Sequence, residues 1–280
     1  MKTHPQPRQL MDGILLGESP RWHEGRLWFA DWVGQTLYTL SETGESAVEA
    51  KVASLPFSID WLADGSLLVV NAEAKELQRR RADGGFERFA DLSGLSQHRC
   101  NEIVVDGRDR IYVNNINFEF PGGEFQPGFI ALVSPDGTAR KVADGLAFPN
   151  GMTITPDGRT LICAESFNGN LTAFDIEADG SLTNRRLWAR IEGQGADGIC
   201  MDAEGCVWAS SGPRCLRIRE GGEVLETVPI DRMAFACMLG GNDGRTLFIV
   251  ANEWTGSVDV SAPTGRVFAT RVDVPRAGYP

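Results

Sequence analysis

Residues 147–158, Ala-Phe-Pro-Asn-Gly-Met-Thr-Ile-Thr-Pro-Asp-Gly, contain the pattern that decides the fold of this chain. Asn150 precedes a short strand of alternating character, and that strand ends in a Pro-Asp-Gly turn. Proline presets the φ angle of such a turn and glycine accepts a positive one. The same layout recurs along the chain, and the residue at the Asn150 position changes from copy to copy. We therefore expect a repeat fold in which the variable position carries the chemistry.

Six copies of the unit can be aligned on the turn between two apolar strands. The turns are Glu24-Gly25, Asp64-Gly65, Arg108-Asp109, Asp157-Gly158, Glu204-Gly205 and Asp243-Gly244. Successive turns are about 40, 44, 49, 47 and 39 residues apart, which fits the roughly 40 to 50 residues of a four-stranded propeller blade. No segment has convincing helical periodicity, so few helices are expected. The pattern predicts an all-β fold, a six-bladed β-propeller, as one domain over residues 1–280. A strand at about residues 9–16 is expected to close the last blade.

The composition excludes several classes of partner. The chain has 280 residues and a formal net charge of −11, and it contains no basic stripe. Binding to nucleic acid or to an anionic membrane surface is therefore not expected. No apolar run approaches the roughly 18 residues of a membrane span, and residues 1–12 lack the apolar core of a signal peptide. A cytoplasmic location follows as the expectation, with a monomer as the default and a homodimer as the alternative.

The six cysteines form no Cys-x-x-Cys pair and lie mostly among apolar residues. Reduced, buried thiols are therefore predicted rather than disulfides or a zinc site. The cysteines are Cys100, Cys163, Cys200, Cys206, Cys215 and Cys237.

The innermost strand of each propeller blade begins near the central channel. About six or seven residues before each turn, the six copies place Glu18, Ser58, Asn101, Asn150, Asp197 and Ala236. Apart from Ser58 and Ala236, these residues are oxygen donors among apolar or small neighbours. Two carboxylates and two amide carbonyls that converge on the axis would suit a hard divalent cation. The alternative is that the four side chains cap blade strands by accepting hydrogen bonds from backbone amides.

Four motifs of the chain resemble the SMP-30/gluconolactonase/LRE family. They are Gly17-Glu18-Ser19-Pro20-Arg21-Trp22, Arg99-x-Asn101-Glu102-Ile103-Val104-Val105-Asp106, and the pair Pro149-Asn150-Gly151-Met152 with Asp197-Gly198-Ile199. They occur in the family's order over nearly the whole chain. The resemblance implies a six-bladed propeller with one divalent cation in its channel, and metal-dependent hydrolysis of lactones. One departure is Glu102, where many members of the family have aspartate.

The resemblance also assigns roles to individual residues. Glu18, Asn150 and Asp197 would be the metal ligands, and Asp197 would also be the general acid and base. Ca²⁺ is the expected ion, with Mg²⁺, Mn²⁺, Zn²⁺ and Fe²⁺ as alternatives. Arg99 and Asn101 would contact the substrate, and His98 would be a substrate contact, a residue behind one, or a plain loop histidine.

Residues 117–128 form an insertion that is rich in glycine, proline and phenylalanine. It lies where members of the family contact substrate, so Glu119 joins the predicted substrate-binding residues. Phe118 and Phe120 indicate a more aromatic mouth than a small sugar lactone requires, and Trp254 would add to it.

The predicted reaction is hydrolysis of a lactone ring, with a sugar lactone as the expected small-molecule substrate. In this hypothesis the metal activates a water molecule and Asp197 transfers its proton. One alternative is a hydrolase or cyclase that acts at the same site on a non-sugar lactone, an ester or an organophosphate. A second alternative is a non-catalytic, metal-binding regulatory propeller, because a fold does not fix a function.

Overall fold

The computed structural model describes residues 1–193, 195–254, 256 and 262–280. In this part of the chain every regular element is a strand, and no helix is long and apolar enough to cross a membrane. The 26 strands form six sheets, each built on four strands that follow one another antiparallel, so the predicted six-bladed β-propeller is confirmed.

The first two strands, β1 (Lys2–Thr3) and β2 (Arg8–Ile14), belong to blades that are completed late in the chain. Blades 1 to 3 follow in order. Blade 1 contains β3 (Gly17–His23), β4 (Arg26–Asp31), β5 (Thr36–Leu40) and β6 (Ser46–Lys51). Blade 2 contains β7 (Phe57–Trp61), β8 (Leu67–Asn71), β9 (Glu76–Arg80) and β10 (Phe86–Asp91). Blade 3 contains β11 (Cys100–Val105), β12 (Ile111–Asn115), β13 (Gly128–Val133) and β14 (Ala139–Leu146).

Blades 4 to 6 repeat the arrangement. Blade 4 contains β15 (Pro149–Ile154), β16 (Thr160–Glu165), β17 (Asn170–Ile176) and β18 (Leu182–Arg190). Blade 5 contains β19 (Ile199–Asp202), β20 (Val207–Ser210), β21 (Arg214–Ile218) and β22 (Val224–Pro229), with β1 on its outer edge and β26 (Arg276–Ala277) beside β19. Blade 6 contains β23 (Met233–Gly240), β24 (Thr246–Asn252) and β25 (Gly265–Arg271).

Strand β2 provides the fourth strand of blade 6. It pairs antiparallel with β25, so that Arg8 lies opposite Ala269 and Ile14 opposite Gly265. It begins one residue before the start, and ends two residues before the end, of the closing strand expected at about residues 9–16. This pairing covers an edge of β25 that would otherwise expose unpaired backbone groups.

The last residues of the chain connect several blades at the turn ends of the innermost strands. Tyr279 and Ile154 exchange two backbone hydrogen bonds of 2.9 and 2.7 Å. Arg276 donates a hydrogen bond from its side chain to the Trp22 carbonyl and another from its backbone to the Gly244 carbonyl. Blades 1, 4 and 6 are therefore tied to the segment that also pairs with β19 of blade 5.

The core consists of apolar side chains packed between neighbouring blades. One cluster joins Phe29 of blade 1 to Phe248 of blade 6, and another joins Ile162 of blade 4 to Val207 of blade 5. All six cysteines are buried as free thiols, as predicted. The N-terminal segment is not loose, because the buried His4 ring accepts or donates a 2.7 Å hydrogen bond with Glu226.

Candidate active site in the central channel

A cavity of about 360 Å³ opens at the end of the channel where the innermost strands begin. Glu18, Asn101, Asn150 and Asp197 all line it, whereas Ser58 and Ala236 do not. Glu18, Asn101 and Asn150 are each the second residue of an innermost strand, and Asp197 lies two residues before β19. The structure therefore brings the four predicted oxygen donors to one place.

A one-residue β-bulge lies at three of these four positions. In β15 the pairing moves from Pro149 opposite Glu165 to Met152 opposite Cys163, which leaves one extra residue beside Asn150. β3 has the same shift after Glu18, and β11 has it after Cys100. By contrast, β7 pairs regularly through Ser58. β23 of blade 6 has the same shift, between Ala234 and Ala236, although Ala236 does not line the cavity. Bulges redirect side chains next to active sites, and in blades 1, 3 and 4 they lie beside the predicted oxygen donors.

A glycine stands next to each of the three predicted metal ligands and allows a neighbouring blade to approach. A Cβ on Gly17 would lie 2.2 Å from Val250 of blade 6, and one on Gly198 would lie 2.5 Å from Ala236. A Cβ on Gly151 would lie 2.6 Å from the backbone nitrogen of Ile199 and 2.7 Å from the backbone carbonyl oxygen of Asp197. Real Cβ atoms do not approach other atoms this closely, and at Gly151 all three nearest atoms are backbone, so glycine there sets the spacing of blades 4 and 5.

Glu18 and Asp197 form a pair of interacting acidic groups, of which Glu18 is buried and Asp197 is partly exposed. Burial, followed by the charges of Asp197 and Glu102, raises the pKa of Glu18 well above its usual range. Burial and the Glu102 charge likewise raise the pKa of Asp197 well above its usual range. The Oδ1 atom of Asp197 is buried and has no hydrogen-bond partner among the described residues. An unpartnered buried carboxylate oxygen is costly, so this atom is available to a ligand.

The capping alternative receives little support from the hydrogen bonds. Among the described residues, the only backbone N–H that donates to one of these four side chains is that of Ser19, at 3.3 Å from Glu18 Oε2. Asn101 instead donates to the Pro149 carbonyl at 3.4 Å. These contacts do not satisfy strand ends, so the four side chains do not act mainly as caps.

Ser166 holds the amide group of Asn150. The Asn150 Nδ2 atom donates to Ser166 Oγ at 3.3 Å, and Ser166 Oγ donates to the Ala196 carbonyl at 2.8 Å. Because the side-chain nitrogen of Asn150 is engaged, its side-chain oxygen is the atom that remains available to a cation. The sequence did not single out Ser166, which follows β16 without any repeated motif.

The Glu102 carboxylate is held by hydrogen bonds from three groups of the protein. Its Oε1 accepts hydrogen bonds from Arg21 Nη2 at 3.0 Å, from Ser19 Oγ at 3.1 Å and from the Ile103 backbone at 2.9 Å. A buried carboxylate with three donors is satisfied within the protein. Glu102 therefore supports the strands around the site and does not line the cavity.

The predicted substrate-binding residues have different positions. Arg99 and Glu119 line the cavity. The Arg99 guanidinium forms an ion pair of 2.9 Å with Glu73, and both side chains are nearly half exposed. His98 is not among the residues that line the cavity; its backbone N–H donates to Ser96 and its carbonyl accepts from Asn115.

One side of the cavity is a phenylalanine wall, which we define as Phe118, Phe120, Phe148 and Phe167. Their ring centroids are 4.7 to 6.4 Å apart. Phe118 and Phe120 come from the insertion, as expected. Phe148 and Phe167 were not predicted, although Phe148 lies two residues before Asn150 and Phe167 directly follows Ser166. Trp254 also lines the cavity, in edge-to-face contact with Phe235.

The donor set fits a hard divalent cation. Among the described residues, no group of three or more His, Cys, Asp or Glu side chains is placed to hold a metal ion. A cation here would therefore depend on Glu18 and Asp197 together with the Asn150 carbonyl, a mixed set of carboxylate and amide oxygens. The unpartnered Asp197 oxygen and the repulsion between the two carboxylates are both relieved by a bound cation.

Known proteins share this architecture. A regucalcin of Xenopus laevis is 28% identical over 253 residues, covering 84% of this chain and 83% of that protein. The pentonolactonase XacC of Haloferax volcanii is 26% identical over 291 residues, covering 95% and 93%. The solved structure of a luciferin-regenerating enzyme superposes with a TM-score of 0.84 at 21% identity, covering 98% of each chain. The family model described as SMP-30/gluconolactonase/LRE-like region matches residues 16–253. The chain therefore belongs to the SMP-30/gluconolactonase/LRE-like family.

Proposed function

We propose that this protein is a metal-dependent hydrolase that opens lactone rings. The observation that carries the proposal is the convergence of Glu18, Asn150 and Asp197 on one cavity, with a buried Asp197 oxygen that has no hydrogen-bond partner among the described residues. The family and its pentonolactonase member support the reaction class. When bound by Glu18, Asn150 and Asp197, a divalent cation supplies a Lewis acid for the lactone carbonyl and lowers the pKa of water. Ca²⁺ is the first candidate.

In this proposal Asp197 moves the proton. It accepts a proton from the attacking water and returns it to the ring oxygen, so that the acyl C–O bond breaks and a hydroxy acid leaves. Asn101 lines the cavity beside the metal ligands and would orient the substrate. Arg99 lies at the rim in its pair with Glu73, where it can contact a polar group at the entrance.

Glu18 and Asp197 would be held as carboxylates by a bound cation, and the carboxylate is the form in which Asp197 can act as the base. Without the cation, burial favours the protonated forms of Glu18 and Asp197, because their pKa values are raised. Opposite charge within contact distance favours the carboxylate. Ionised Asp197, the base, therefore depends on the cation.

The test is lactone hydrolysis by protein that has been treated with a chelator and then supplied with single divalent metals. Turnover that disappears with the metal and returns with one ion is the expected result. Tight metal binding without turnover of any lactone would contradict the proposal and favour the regulatory propeller.

Substitution of Asp197 tests its role in the same assay. Asp197→Asn should lower kcat by roughly 100- to 10,000-fold because the general base is lost, and metal binding is measured separately. Arg99→Ala should instead act mainly on KM. Unchanged turnover by folded Asp197→Asn protein would rule out this mechanism.

A further inference from the structure

The phenylalanine wall is a continuous cluster of aromatic rings on one side of the cavity. Phe148 and Phe167 lie 4.7 Å apart between ring centroids, and Phe118 contacts Phe120, Phe148 and Phe167 at 5.8 to 6.3 Å. Phe125 packs behind them at 5.7 Å from both Phe118 and Phe167. Each pair is tilted or edge-to-face, the arrangement that aromatic rings prefer.

Three of these rings are exposed although the protein buries most of its large apolar side chains, including Phe118. Phe120, Phe125 and Phe167 are 37%, 45% and 53% exposed. Among the described residues, the other exposed large hydrophobic side chains are only Met1, Val48 and Leu187. A contiguous exposed apolar patch at a cavity marks a ligand-binding surface.

The wall is connected to the reactive end of the cavity. Phe148 precedes Asn150 by two residues, and Phe167 directly follows Ser166, which holds the Asn150 amide. A ligand whose carbonyl lies near Asn150 and Asp197 would therefore place its neighbouring substituent against these rings.

The wall suits an aromatic substituent and not a hydroxylated one. Its rings offer no hydrogen-bond partner, and hydroxyl groups buried against them would lose their hydration without compensation. At the entrance Arg99 is already paired with Glu73. The volume of about 360 Å³ falls in the range of pockets that enclose drug-sized ligands.

We propose that the substrate is an uncharged lactone that carries an aromatic ring, and that this ring packs against the phenylalanine wall. The inference rests on the proposed lactonase function for the reacting group. It departs from the sugar lactone expected for the family.

The first experiment measures binding without chemistry. The full-length protein is titrated with cyclopentanone, 3-cyclohexylcyclopentanone and 3-phenylcyclopentanone, ketones that resemble γ-lactones but cannot be hydrolysed. The phenyl compound should bind about 10- to 100-fold more tightly than cyclopentanone, as expected for burial of one ring. Equal affinity of the phenyl compound and cyclopentanone, or of the phenyl and cyclohexyl compounds, would overturn the proposal.

Two variants locate the effect. Phe167→Ala and Phe120→Ala remove exposed rings, so neither should unfold the protein, and each should reduce the advantage of the phenyl compound about tenfold. Leu187→Ala is the matched control, because it removes a side chain that is 59% exposed on the outer strand of blade 4. An equal loss in Leu187→Ala protein would refute the assigned contact.

The second experiment compares hydrolysis of γ-butyrolactone and β-phenyl-γ-butyrolactone. In the second compound the ring is attached away from both the carbonyl and the ring oxygen, so the intrinsic reactivities are similar. A higher kcat/KM for the phenyl compound is expected. Hydrolysis of both at equal kcat/KM would overturn the aromatic preference and leave the lactonase intact. Tight binding of the phenyl ketone without lactone turnover would support the aromatic ligand and contradict the lactonase.

Discussion

Ser166 sets the orientation of a side chain that we assign to the metal. Its hydroxyl accepts from Asn150 Nδ2 and donates to the Ala196 carbonyl, next to Asp197. Removal of such an outer partner commonly costs about 10- to 100-fold in metal affinity.

Ser166→Ala is therefore expected to weaken binding of the divalent cation by about that factor, because the Asn150 amide becomes free to rotate. Calorimetric titration of chelator-treated protein measures it. Ser166→Thr, which keeps the hydroxyl, serves as the control and should retain most of the affinity. If Ser166→Ala protein binds the cation as tightly as the unchanged protein, Ser166 has no positioning role.

Asp60 is a buried carboxyl in β7 with a predictable effect on stability. Burial raises its pKa to about 6, although the Arg21 charge and the hydrogen bonds from Val105 and Trp61 act in the opposite direction. In the unfolded chain an aspartate ionises near pH 4. Between these values the folded protein binds the extra proton, so the stability contributed by Asp60 is full below about pH 4 and is lost as pH rises through about 6.

Asp60→Asn should remove this dependence. From pH 4 to pH 6.5 the free energy of unfolding of the unchanged protein should fall by roughly 2 kcal/mol relative to that of the variant. Urea unfolding of both proteins at several pH values provides the comparison. The substitution also alters the hydrogen bond from Val105, but this shifts the variant's free energy of unfolding by the same amount at every pH and leaves the expected pH dependence unchanged. Parallel curves over this range would contradict a raised pKa of Asp60.

At the scale of the strand, the bulges and their glycines decide the geometry of the site. Gly151 follows Asn150 in β15, and its α-carbon faces the backbone at Asp197, Gly198 and Ile199 of the next blade. A methyl group at this point has no flexible neighbour to displace, so blades 4 and 5 must separate slightly.

Gly151→Ala is expected to destabilise the protein by about 1–3 kcal/mol and to reduce turnover, since Asn150 and Asp197 move apart. Gly94→Ala is the control, because a Cβ on Gly94 meets no atom within 4 Å and its effect should be close to zero. Denaturant unfolding and lactone turnover of both variants provide the two readouts. A Gly151→Ala protein as stable and active as Gly94→Ala protein would show that the blades have room here.

The strands themselves could be predicted from the sequence, but their register could not. The turns at Asp64-Gly65 and Asp157-Gly158 give the period, and short β-branched runs give the strands beside them. The bulge beside Asn150 has no such signature, because the extra residue is visible only against its partner strand. The phenylalanine wall brings Phe118 and Phe120 of the insertion together with Phe148, between blades 3 and 4, and Phe167 of blade 4. Contacts between such distant segments cannot be predicted from strand periodicity. The pairing of Arg99 with Glu73 was missed for the same reason.

At the scale of the whole molecule, the final segment connects blades that are otherwise joined only to their neighbours. Residues 275–280 contribute the pairing of β26 with β19, the two hydrogen bonds between Tyr279 and Ile154, and the contact of Arg276 with the Trp22 carbonyl. Deletion of these residues leaves several buried backbone groups without partners.

We expect that deletion of residues 275–280 lowers Tm clearly more than deletion of residues 1–3, which pair with the outer strand β22 and add an exposed ion pair between Lys2 and Asp273. Thermal unfolding by circular dichroism compares the two truncated proteins with the full chain. A loss of Tm that is no greater for residues 275–280 would mean that the segment lies on the ring without stabilising it.

Strand β2 has a consequence for how the protein is made. It is synthesised before blade 1, yet its partner β25 lies about 250 residues later in the chain. During translation five blades can assemble while Arg8–Ile14 has no partner and blade 6 does not exist. Ring closure must therefore wait until blade 6 has emerged, and a nascent chain that stalls in that blade presents an open sheet edge to chaperones and to other nascent chains.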